Sequence, residues 1–214
     1  MRLLGFLTLL PAALLAEGTQ GWYQNTIWLQ LDERWSVGNF IDLRFDDGVR
    51  EISTWIVSPR VRYKLNPGLQ LQVNASFLES YNADETRRSD WFRLEFELNP
   101  TFKLSESLTL TFRDRIEWRW RNWGTDYGYR IRVRPQLNWT INRTGLFRGF
   151  YVNNEIFYDF DKNHFTENRL TPLGLTLHPS ERMELCLFYL WRTRRGATAW
   201  KNYHVFGASA SFNY

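Results

Sequence analysis

The chain has 214 residues, 17% of them aromatic and 23% charged, with 11 Trp and a formal charge of +4. Mean hydropathy is negative, and beyond the first positions no run of about 18 uncharged apolar residues occurs, which excludes a helical membrane protein. The aromatic content excludes a disordered chain. Lys and Arg are interspersed with carboxylates, so no basic patch marks a nucleic-acid partner, and the single Cys186 allows neither an intrachain disulfide nor a cysteine metal site.

Residues 1–16 read as a secretory signal: Arg2 is the basic start, the stretch from Leu3 to Leu15 is apolar, and Ala16 is a small residue before Glu17. The remaining 17–214 form one domain. From there period-two segments follow one another without a helical interlude, at 22–32, 37–46, 52–65, 69–80, 90–104, 108–121, 127–142, 149–160, 168–177, 183–192 and 200–214. The seventh is the clearest. Tyr127, Tyr129, Ile131, Val133, Pro135, Leu137, Trp139 and Ile141 fall on one face, with Arg130, Arg132, Arg134, Gln136 and Asn138 on the other. Extended, such a segment runs roughly 50 Å, long enough to cross an apolar band about 25 Å tall when tilted. The alternation slips near Pro172, which predicts a bulge.

Ser58-Pro59, Asn99-Pro100, Arg134-Pro135 and Thr171-Pro172 recur mid-strand at hairpin intervals, an internal repeat. Proline lacks the N–H that a paired strand needs, so each is expected to sit at a local bulge. Connections at 66–68, 105–107, 142–145 and 178–181 are tight, while those at 46–51, 81–89, 122–126, 161–167 and 193–199 read as longer. Short turns at one end and longer loops at the other fit an outer-membrane barrel.

Alternation alone leaves open which face is outside; a soluble periplasmic barrel carrier would point its apolar side inward. Strand length, export and loop asymmetry favour the reverse, as do two sets of aromatics. Tyr63, Phe102 and Trp139 precede the tight turns, and Trp55, Phe92, Trp120 and Tyr129 lie near the longer loops, as two interfacial girdles require. The chain finishes on Phe212 and Tyr214, like the terminal strand of barrels inserted by the outer-membrane assembly machinery. The reading is an all-β, antiparallel up-and-down transmembrane barrel of about 10–12 strands, resident in the bacterial outer membrane with its lipid as surroundings. Eleven strands are counted where such barrels are even-numbered. Either a strand near the N-terminus is misread, or the early segment threads the lumen.

The segment 22–28, the Arg-Pro and Asn-Pro hairpins, the triplet Asn153-Asn154-Glu155 and the pair Asn168-Arg169 resemble a bacterial family of predicted outer-membrane barrels, catalogued as domain of unknown function 2490. The resemblance would cover about residues 22–214. It implies the fold and no activity.

With lipid outside, the charges line the lumen. A three-residue turn at 105–107 sets Glu97 opposite Arg115, Arg93 opposite Arg119, and Glu95 opposite Glu117, with Arg113 further along the same strand. Opposed carboxylates are unfavourable unless Arg93, Arg115 and Arg119 compensate. A turn at 143–146 sets Arg134 against Glu155 and Arg130 against Asp159, with Arg132 between. This Arg/Glu ladder either fills a narrow scaffold or lines a channel for a small anionic solute, because rings of Arg select anions. A lipid-modifying barrel enzyme would need a nucleophile beside a His. His164 reads as a loop residue, His178 as a turn residue and His204 as lying on the apolar face, with no spacing that ties Ser80 or Ser89 to any of them. No catalytic residue is assigned. Asp46-Asp47-Gly48 and Asp84-Glu85 lack defined ligand spacing, so neither metal nor cofactor is expected.

Overall fold

The computed structural model describes residues 18–46, 51–81, 88–122, 127–196 and 198–214. The expected signal at 1–16, Asp84-Glu85 and most of the 46–51 connection lie outside them. Among the described residues there are eleven strands: β1 (Thr19–Gln30), β2 (Trp35–Asp46), β3 (Glu51–Asn66), β4 (Leu69–Tyr81), β5 (Arg88–Lys103), β6 (Leu108–Arg121), β7 (Tyr127–Thr140), β8 (Phe147–Asp159), β9 (His164–Ser180), β10 (Met183–Arg195) and β11 (Trp200–Asn213). Each pairs with its sequence neighbours, and β1 closes on β11 to make a barrel.

An odd number of up-and-down strands brings the first and last to the seam running the same way. β1 and β11 are indeed parallel, from Thr19 opposite His204 to Trp28 opposite Asn213. The seam extends into the chain end, where the Tyr214 N–H donates to the Trp28 carbonyl at 3.0 Å. The parity problem therefore resolves without a missing strand. Residues 19–30 lie in the wall and do not thread the lumen, and the antiparallel expectation fails at this one seam.

Adjacent positions settle which face is outside. On β6, Ile116 is 45% exposed while Glu117 is fully buried. Along β1 to β8 the apolar stripe faces away from the barrel axis and the polar stripe faces it. This is the reverse of a soluble barrel with an apolar core. One apolar cluster does lie inside, at the seam: Trp22, Leu190 and Val205, with Phe188 against them.

Three expectations about local structure change. Pro59, Pro100 and Pro135 interrupt pairing towards the following strand but leave the register unshifted on both sides of the gap. Only Pro172 sits at a shift, since Tyr189 pairs with Leu173 and Trp191 with Leu170. A missing N–H costs a ladder bond without requiring an extra residue. Second, β9 runs from His164 to Ser180, so His164 and His178 belong to a strand and the loop expected at 161–167 shrinks. Further shifts around Thr166 and beyond Leu177 scramble its alternation. Third, β7 ends at Thr140, leaving a six-residue connection at 141–146, while 160–163 spans only four. The two ends of the barrel are thus closer to equal in loop length than the spacing implies. We refer to the end carrying the β1–β2 connection as the turn end, and to the opposite one as the far end.

Candidate functional site: a cationic lumen

Strand pairing places the expected ladder in the register deduced from turn length. Glu97 lies opposite Arg115, Glu95 opposite Glu117 and Arg93 opposite Arg119. Across the next hairpin Arg130 lies opposite Asp159. All of these side chains point inward, because each occupies the polar phase of its strand.

The ion pairs themselves follow a different map. Glu117 is fully buried and accepts from Arg130 at 2.6 Å and Arg132 at 2.7 Å, with Arg115 at 3.6 Å. Arg115 also binds Glu95 at 2.9 Å and pairs with Glu97, so one guanidinium bridges the opposed carboxylates Glu95 and Glu117. Arg119 turns instead to Asp159 at 2.6 Å, and Arg93 joins no ion pair among the described residues. Glu155 does not pair with Arg134 as the spacing suggested. It takes Arg113 at 2.5 Å, Arg132 at 2.8 Å and Arg169 at 3.7 Å. Arg113 on β6 and Glu155 on β8 are two strands apart, roughly 10 Å across the sheet. A guanidinium on the concave side of a closed wall spans that gap.

Sequence reasoning missed the continuation onto β9 and β10. Glu167 holds Arg169 at 2.6 Å and Arg192 at 2.8 Å, and Arg192 Nη1 donates to Gln20 on β1 at 3.1 Å. Bulges in β9 hid which of its residues face inward, so no period-two signal could have found Glu167 or Arg169, whereas β10 alternates without a break and sets Arg192 on the face opposite Leu187 and Trp191. Phe157, with no exposed surface, stands inside among guanidiniums, with Arg132 and Arg169 each 4.5 Å and Arg130 5.1 Å from its ring centre. Trp22 is covered likewise by Arg44 at 4.2 Å and Arg169 at 4.8 Å. Planar cations over aromatic faces are favourable, and these contacts tie the charged belt to the seam cluster.

Around this belt lies a cavity of about 1290 Å³. Seventeen Lys and Arg side chains among the described residues line it, against six Asp and Glu. Its lining extends from Asn142 and Arg143 at the turn end to Lys162, Arg194 and Lys201 at the far end.

The expected girdle aromatics all take the outward phase. Phe77, Phe92 and Trp120 form a continuous run of rings 5.1 and 5.4 Å apart towards the far end, beside Trp55 and Tyr129. Trp35 with Tyr63, Phe102 with Phe112, and Trp139 with Phe150 lie towards the turn end. Phe212 is outward on β11 opposite Met183. Asp114, paired with Leu98 and Val133, also faces outward. Ser80 and Ser89 lie opposite each other at the far end, where Arg121 donates to Ser89 at 3.1 Å. The histidines are elsewhere, His178 bonded to Glu184 at 3.1 Å and His204 to the Tyr189 hydroxyl at 2.7 Å.

Residues 19–203 match the family described as "Protein of unknown function (DUF2490)". The chain belongs to that family. The match runs from the first residue of β1 into β11, so the family's unit is the whole barrel wall and not one hairpin of it. No curated protein matches. Among solved structures, the chain is similar to one described as a bacterial polysaccharide outer membrane secretin, with a TM-score of 0.54 and 11% identity over 83% of this chain. It spans 64% of that chain's length, under two thirds, and the likeness concerns the fold alone.

Proposed function

We propose that this family member is an integral outer-membrane barrel whose constricted, cationic lumen passes small anions. The observation that carries the reading is the imbalance around one cavity, seventeen cationic side chains against six acidic ones in the lining and two more, Glu97 and Glu117, buried in the belt, in a chain whose overall charge is only +4. The excess positive charge is concentrated where a permeating ion would travel, and a low-dielectric wall strengthens its field. Exposed apolar stripes on the outer face suit hydrocarbon, and the two aromatic groups suit its interfaces. The similar secretin fold is consistent with that membrane. In this reading Phe212 and Tyr214 serve recognition by the barrel assembly machinery. The Arg/Glu belt narrows the passage, so the solutes are small and a polymer does not fit.

Two measurements test the reading. Membrane fractionation with heat-dependent gel mobility is expected to place the folded chain in the outer membrane. In planar bilayers under a KCl gradient the reversal potential is expected on the chloride side, and Arg194→Gln with Lys201→Gln to reduce that selectivity. A cation-selective or non-conducting barrel would overturn it.

A further inference from the structure

Arginine faces arginine four times where lumen strands pair: Arg93 with Arg119, Arg113 with Arg134, Arg115 with Arg132, and Arg169 with Arg192. Like charges directly opposed destabilise a sheet. Two of these pairs are relieved by a shared carboxylate, Glu117 for Arg115 and Arg132, and Glu167 for Arg169 and Arg192. In the other two only one member is neutralised, Arg119 by Asp159 and Arg113 by Glu155. Arg93 and Arg134 join no ion pair among the described residues, and the Nε of each is buried without a hydrogen-bond partner.

Both of these arginines line the cavity. Arg93 sits one inward position beyond Glu95 towards the far end of β5, and Arg134 one inward position beyond Arg132 towards the turn end of β7. They therefore flank the carboxylate belt on its two sides. Ser76 lies across from Arg93, and Gln136 follows Arg134 on the inward face. Each thus offers a guanidinium fork beside a neutral polar group, which suits an oxyanion, and the nearest carboxylates, Glu95 beside Arg93 and Glu155 near Arg134, are already engaged by Arg115 and by Arg113 and Arg132.

We infer that the lumen binds oxyanions, the phosphate or carboxylate groups of small solutes, at two stations headed by Arg93 and Arg134. This rests on the passage reading only in needing ions to enter the lumen. A bound oxyanion would supply the charge that each opposed pair lacks, and two stations separated by the belt would hand an ion from one to the other.

The test is titration calorimetry of the full chain in detergent with inorganic phosphate at constant ionic strength, chloride being the competing anion. Phosphate is expected to bind more tightly than chloride. Arg93→Gln and Arg134→Gln are each expected to weaken it about tenfold, and the double variant to abolish it. Arg182→Gln, in the exposed β9–β10 turn, should leave it unchanged. Should the Gln variants not fold, Arg93→Lys and Arg134→Lys keep the charge but lose the fork, and a several-fold weakening is expected. Phosphate binding no tighter than chloride in the unaltered chain overturns the inference, as does affinity unchanged in the variants. Phosphate binding without conductance would sink the passage reading and leave the stations standing; conductance without phosphate preference would do the reverse.

Discussion

Two regions of the lumen wall fill the same space in opposite ways. From β5 to β9 the interior is held by charge: Glu117, Glu155 and Glu167 are each shared among two or three guanidiniums. At the seam of β10, β11 and β1 the interior is Trp22, Leu190 and Val205, packed like an ordinary core. Removing one carboxylate from the first region takes an acceptor from two or three cations at once and leaves one of them with no ion pair, Arg130 for Glu117, Arg113 for Glu155 and Arg192 for Glu167. Removing one side chain from the second leaves a hole. The seam is also where pairing is parallel, slightly weaker per residue than antiparallel, so apolar packing stands where the ladder is least favourable.

The largest expected effect falls on the charged wall. Glu117→Ala strips Arg115, Arg130 and Arg132 of a common acceptor. Breaking a buried pair costs about 3–5 kcal/mol, so the heat-modifiable folded band should be lost at a clearly lower temperature. An unchanged transition would mean that the belt is not holding the wall. At the seam, Leu190→Ala should cost about 2–3 kcal/mol through the cavity it leaves, visible as a lower denaturant midpoint that does not vary with salt. Strong salt dependence there would erase the contrast between the two regions. Gly207→Val should cost about 1–3 kcal/mol by overpacking, because any Cβ at position 207 runs into the Phe188 ring. Phe188→Ala in the same chain is expected to restore part of the loss.

The smallest effect lies outside both regions, in the β1–β2 turn. The Asp32 carboxylate accepts from the backbone N–H groups of Trp35 and Arg34, each at 2.7 Å, and these hold its pKa below the usual carboxylate range. Its contribution is therefore complete above about pH 4, the unfolded value, and fades as pH falls through the lower folded value. Asp32→Ala should lower the neutral plateau slightly and flatten the acid limb, the two stability profiles converging once pH has fallen through the folded value.

Much of the barrel is legible in the order of residues. Seven or more alternating positions in each of β3, β5, β6 and β7 reveal both strand and face, and counting from a short turn puts Glu97 across from Arg115 and Arg130 across from Asp159. The method stalls at β9, where bulges around Thr166 and Pro172 invert the phase. With it went Glu167 and Arg169, and with Glu167 the partner of Arg192. The mid-strand prolines carry the opposite lesson. A broken hydrogen bond at Pro59, Pro100 or Pro135 looks in the sequence like a kink, yet the register passes through it intact.

By itself, then, the sequence determined the strands, which side chains share a face in all but β9, and the cross-hairpin pairs, because side chains alternate strictly along an extended backbone and a short turn sets the register. Only the tertiary structure decided that eleven strands close through a parallel seam, and which carboxylate each arginine takes. Closure is a property of the whole ring. Within it, a long guanidinium side chain on a concave surface reaches past its neighbour to the strand beyond, as Arg113 does to Glu155.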